Sequence, residues 1–218
     1  ALERMQAGEN ERAAGDLADA LGALRHSDNL ARARRRLEEA VALDDSNVWA
    51  HKYLGDALLR QDDRAAAIEQ YLRVQALQPE EAGPYADLGE AYLKSNLYTK
   101  AEEAFLGGLK RVSSEDTDTA WRLQRGLGDV ATKLRKHAEA RDAYQTALDL
   151  FPFDVQSLIG LSIAYYHLKD LTEAERHAEL AVTLSAGNPD LQKDANRLLD
   201  LIRQTREGEE KLGKTDER

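Results

Sequence analysis

The sequence predicts an all-α protein, an α-solenoid of about five antiparallel helix pairs ending in a C-terminal capping helix. Three observations predict it. Leu54-Gly55 is followed by Leu88-Gly89 after 34 residues, by Leu127-Gly128 after 39, and by Leu161-Ser162 after another 34. Each pair lies in an amphipathic stretch that leads through a polar turn into a second one, which carries an alanine and, in three of the four, an aromatic four residues later. Alanine, leucine, glutamate and arginine dominate the 218 residues and only four prolines interrupt them, a balance that favours helices because these side chains lose little rotamer freedom in one.

Taken in order, residues 1–13 read as an N-terminal segment, the frayed end of a preceding hairpin. Residues 14–188 form the array, with units at 14–47, 48–81, 82–115, 121–154 and 155–188. The first unit keeps Leu17, Leu24, Ala33, Leu37 and Ala40 but has neither the glycine nor the aromatics, as a terminal unit can when one face has no neighbour,. Between the second and third glycine-bearing units, Ser113 to Thr119 reads as a longer polar loop,. Asp62, Asp63 and Asp170 stand where a carboxylate would cap a second helix, and Pro79 and Pro152 fall just past helix ends,. Asn188 and Pro189 open the capping helix, 189–206, with Leu191, Ala195, Leu198, Leu199 and Ile202 along one side,. The charged, glycine-bearing stretch 207–218 reads as a disordered tail.

Glycine inside a helix costs about 1 kcal/mol relative to alanine, so Gly55, Gly89 and Gly128 predict close approach of a second helix, with Ala67, Ala101, Ala140 and Ala174 at the crossings,. These positions are read as packing, with no binding role.

The units resemble the tetratricopeptide repeat family, whose pattern runs W-x2-L-G-x2-Y, then A-x3-F-x2-A, then P. Residues 48–81 supply Leu54, Gly55, Leu58, Ala67, Tyr71, Val74 and Pro79; residues 82–115 supply Tyr85, Leu88, Gly89, Tyr92, Ala101 and Phe105; residues 121–154 supply Leu127, Gly128, Ala131, Ala140, Tyr144, Ala147 and Pro152. The fourth departs most, with Ser162 for the glycine, Ala178 for the second aromatic and Ala186 for the proline. The resemblance implies a right-handed superhelix whose first helices line a concave wall that binds peptides or helices, and hence an interaction scaffold or adaptor.

On that wall Asp56, Glu90 and Asp129 recur at one repeat position and His26, Arg60, Lys94, Lys133 and His167 four residues later. They are read either as pairs along their own helices or as charge offered to a partner. Some family members grip a peptide carboxylate with Lys, Asn and Arg. Lys52 and Arg122 match that set, but Asp56 and Asp87 replace the asparagines and Gly126 the last arginine, with Arg125 beside it. The resemblance therefore does not carry that activity over, and a ligand bearing basic residues is expected instead. Trp49 and Tyr53 form an aromatic candidate,. Ile159, Ile163 and Tyr166 make the first helix of the last unit apolar nearly all round, so it must be covered by the capping helix, a partner or a second copy of the chain,.

Other functions fare worse. The charge of −10 opposes nucleic-acid binding,. The absence of cysteine rules out disulfides and thiolate metal sites,. Five scattered histidines show no metal-ligand or catalytic spacing, and no phosphate-binding glycine loop follows a strand, so no enzyme, cofactor or metal is expected,. No run is long and apolar enough to cross a membrane, and a cytoplasmic setting is expected, with a periplasmic or membrane-associated one through a missing N-terminal region as the alternative,. The start at Ala1, without a methionine or leader core, also allows the reading that this is a regulatory or substrate-recruiting piece of a larger enzyme,.

Overall fold

The structure, a computed structural model, describes residues 30–216. The segment 1–13, and Leu17, Leu24 and His26 of the first unit, fall outside the described residues. Among those described there are ten helices and no strand: α1 (Leu30–Leu43), α2 (Val48–Arg60), α3 (Arg64–Leu77), α4 (Gly83–Lys94), α5 (Tyr98–Leu109), α6 (Thr117–Lys133), α7 (His137–Leu150), α8 (Val155–His167), α9 (Leu171–Leu184) and α10 (Pro189–Asp216). The chain divides into two compact units, one ending at Arg111 and the other beginning at Val112.

Side chains set most helix starts. Asn47, Asp63, Asp116, Asp154 and Asp170 each accept a hydrogen bond from the backbone N–H three residues on, which satisfies a donor the helix itself cannot,. Four hairpin turns pass through a non-glycine residue in the left-handed region, at Asp62, Asn96, Arg135 and Lys169.

In the first unit, Ala33, Leu37 and Ala40 of α1 are fully buried. Leu37 joins Leu54, Ala57, Leu58, Ala67, Tyr71, Leu88 and Ala91 in one core that runs from α1 to α4. The expected close approach takes a specific form, because the ring from the second helix of a pair lies directly against the glycine of the first. A Cβ on Gly89 would stand 2.4 Å from Phe105, and one on Gly55 2.8 Å from Tyr71. Only hydrogen fits there.

In the second unit, Ala131, Ala140, Tyr144, Leu148, Leu158, Leu161, Ala164, Ala181 and Ala195 pack together, and Ala174, Ala178, Leu199 and Ile202 extend the core under α10. The departures in the last hairpin explain each other. Ala178 in place of an aromatic leaves room for Ser162, whose buried hydroxyl donates to the Ala174 carbonyl at 2.7 Å. The capping helix does not stop near Arg206 but continues to Asp216. Glu207, Glu209, Glu210 and Lys211 are good helix formers and no proline intervenes, which offsets the cost of Gly208 and Gly213,.

Candidate functional site

Within each unit the first helices of neighbouring hairpins lie side by side, and they carry the residues expected to bind a partner. In the first unit these are α2 and α4. Trp49 is 57% exposed and stacks on Tyr53, one turn further along α2, with ring centroids 5.9 Å apart and planes 23° apart. Next to them Lys52 of α2 forms an ion pair with Asp87 of α4, which is only 8% exposed. The cation that matched a carboxylate-gripping lysine is thereby already neutralised from within the chain.

The acidic stripe also turns inward. The Tyr71 hydroxyl donates to Asp56 at 2.6 Å, and the Tyr144 hydroxyl donates to Asp129 at 2.7 Å. These bonds run across each hairpin from second helix to first, and at Asp129 the charge of Lys133, four positions on, acts as well. Where the second helix offers Phe105, which has no hydroxyl, the first carries Glu90. Burial, and then the facing carboxylate, push both tyrosines far above their ordinary range. Burial also raises the Asp129 carboxyl, an effect its bond from Tyr144 only partly offsets.

In the second unit the corresponding helices are α6 and α8. Arg122 is half-buried. Arg125 lies over the Trp121 ring, 4.6 Å from its centroid, and donates to Gln156 of α8 at 3.0 Å. Ile159 packs on the core, Ile163 is half-buried, and Tyr166 sits against Ala174, Ala178, Leu199 and Ile202 with its hydroxyl 3.2 Å from that of Thr205. The capping helix therefore covers the tyrosine. The structure thus joins Trp49 to Tyr53 and Lys52 to Asp87 in one unit, and sets Arg125 within reach of Gln156 and of the Asp129 charge in the other.

Sequence reasoning missed a surface cavity of about 320 Å³ lined by Trp121, Phe151, Pro152, Phe153 and Asp154. Phe153 is 74% exposed, and Trp121 meets Phe151 at 5.1 Å. The pair of phenylalanines on either side of a proline was the available signal. Among the described residues no group of three or more His, Cys, Asp or Glu could hold a metal, and no helix is long and apolar enough to cross a membrane.

Four overlapping segments, residues 20–86, 54–116, 86–155 and 125–189, match the profile described as "Tetratricopeptide repeat". The chain belongs to the tetratricopeptide repeat family. No curated protein matches its sequence. Solved tetratricopeptide structures share the fold at low identity. PilF of Pseudomonas aeruginosa is 18% identical with a TM-score of 0.71, the match covering 93% of this chain and 99% of that one. A MamA segment from Desulfovibrio magneticus RS-1 is 20% identical with a TM-score of 0.68, covering 81% and 97%. YrrB, described as a tetratricopeptide protein with an unusual peptide-binding site, is 16% identical with a TM-score of 0.60, covering 90% and 98%. Tetratricopeptide arrays are in general interaction modules, and the chain is a protein-interaction scaffold in that general sense.

Proposed function

We propose that this tetratricopeptide protein binds a peptide or partner protein on the first-helix face of its hairpins, with Trp49 as the anchor in the first unit. The observation that carries the reading is the pair Trp49 and Tyr53. A tryptophan more than half exposed on a helix face is held in place by a stacked neighbour and bordered by an ion pair. A rigid aromatic of this kind gives a partner a large contact area at little entropic cost. The peptide-binding site described for YrrB, a protein of the same fold, supports a peptide ligand.

The carboxylates that suggested a basic ligand give it little support, since Asp87 is paired with Lys52 and Asp56 and Asp129 take bonds from tyrosines. The reading therefore keeps the aromatic anchor and sets aside a requirement for basic residues. Peptides selected from a displayed library on the wild-type protein, titrated against wild type and Trp49→Ala, test this. The expected result is a loss of about tenfold or more in affinity, as for a buried interface tryptophan. Because Trp49 lies outside the core, the variant keeps its helical circular dichroism. Undiminished binding by the folded variant removes the assignment.

A further inference from the structure

In the second unit the α6–α7 turn and the α8–α9 turn lie against each other. His137, the first residue of α7, stacks on His167, the last of α8, with ring centroids 4.2 Å apart and planes 18° apart. The flanking residues are cationic. Arg135 and Lys169, both exposed, occupy the left-handed residues of the two turns. Lys136 is the N-cap of α7, gives that helix no side-chain cap, and pairs with Glu139 at 3.2 Å. Asp170, which follows Lys169, caps α9, where it accepts from the Glu173 backbone N–H at 3.1 Å. The His137 Nδ1 is buried without a hydrogen-bond partner. Burial, and then the fields of His137, Arg135 and Lys169, hold the His167 imidazole below its ordinary range. The named charges acting on this ring are all positive.

We propose that this turn edge, formed by Arg135, Lys136, His137, His167 and Lys169, is a docking surface for a carboxylate-rich segment of a partner protein. Charge complementarity gives the sign of the occupant, and the rest of the chain limits its size. The whole molecule carries −10, and at physiological ionic strength screening confines attraction to roughly 8 Å. A short acidic segment feels the local cations, whereas a nucleic-acid backbone or an anionic membrane also meets the net negative charge of the rest of the chain,. The His167 imidazole adds a proton linkage. A carboxylate beside it favours its charged form, so the ligand raises its pKa and, reciprocally, protonation strengthens binding.

The test uses an oligoglutamate peptide, with oligoglutamine of equal length as control, titrated by calorimetry at low ionic strength near pH 6 and pH 7.5. Wild type is compared with the Arg135→Asn/Lys169→Asn double variant. Asparagine tolerates the left-handed backbone of both turns, so the charges go while the fold stays. Oligoglutamate is expected to bind more tightly near pH 6, to lose about tenfold or more in the double variant, and to raise the pKa of His167 followed by proton NMR. Equal affinity of wild type and the folded double variant overturns the proposal, as does equal binding of oligoglutamine. Binding of phosphatidylserine vesicles in place of the peptide overturns it in favour of a membrane contact. Trp49→Ala should leave oligoglutamate binding unchanged, so this surface and the aromatic anchor stand or fall separately.

Discussion

Asp129 shows how a single side chain gains a partner that its repeat position does not announce. Its repeat position points to a charge offered to a ligand or to Lys133; in the structure Lys133 acts on it, it also accepts the Tyr144 hydroxyl, and burial raises its carboxyl above the ordinary range. The i,i+4 rule is local, whereas this bond joins residues fifteen apart in sequence, brought together only when the hairpin closes. A pH dependence follows. Between about 3.9, the unfolded value, and the raised native value, the folded protein holds a proton that the unfolded chain has released. Stability therefore falls as pH rises through that window, and the cost stays constant above it. Asp129→Asn keeps an acceptor for Tyr144 and never ionises. In urea denaturation series from about pH 4 to pH 7, the variant should gain stability relative to wild type as pH rises and then hold a constant difference. A difference independent of pH would show that burial of this carboxylate is not what the substitution relieves.

The helices and turns were legible to different degrees. Caps at Asp63 and Asp170, proline exits and the glycine period are local signals, and the helix pairs follow from them. The left-handed turn residues carry no comparable signal, because Arg135 and Lys169 are poor choices for that region while Asp62 and Asn96 are ordinary ones,. The contact between His137 and His167 was equally hidden, since the two lie thirty residues apart and meet only because consecutive hairpins stack. The turn chemistry gives an element-scale prediction. Lys169→Gly relieves the Cβ clash of the left-handed backbone but frees the unfolded chain, so a net stabilisation of about 0.5–1 kcal/mol is expected. Lys193→Gly, at an exposed position inside α10, should instead cost about 1 kcal/mol. Denaturation midpoints of the two variants check the contrast in sign.

Within the second unit, stability depends on a ring that neighbouring hairpins share. Tyr144 is wedged between Gly128 of its own hairpin and Gly160 of the next, where an added Cβ would come within 2.6 Å and 2.3 Å of the ring. Gly160 lies outside the repeat pattern, because the pattern describes one hairpin and this contact belongs to two. The ring is also held by its bond to Asp129 and cannot swing away without breaking it. Gly160→Ala is therefore expected to destabilise the second unit by about 1–3 kcal/mol, the usual cost of overpacking, although alanine is the better helix former. Gly187→Ala, with open space around its Cβ, should change little. Because Gly128→Ala and Gly160→Ala displace the same ring, their combined cost should be less than the sum of the two. Hydrogen exchange should show protection falling in both α7 and α8 after the Gly160 change, since nearest-neighbour interfaces hold repeat proteins together. Loss confined to α8 would mean that Tyr144 belongs to one hairpin alone, and that the glycines on its two sides act independently.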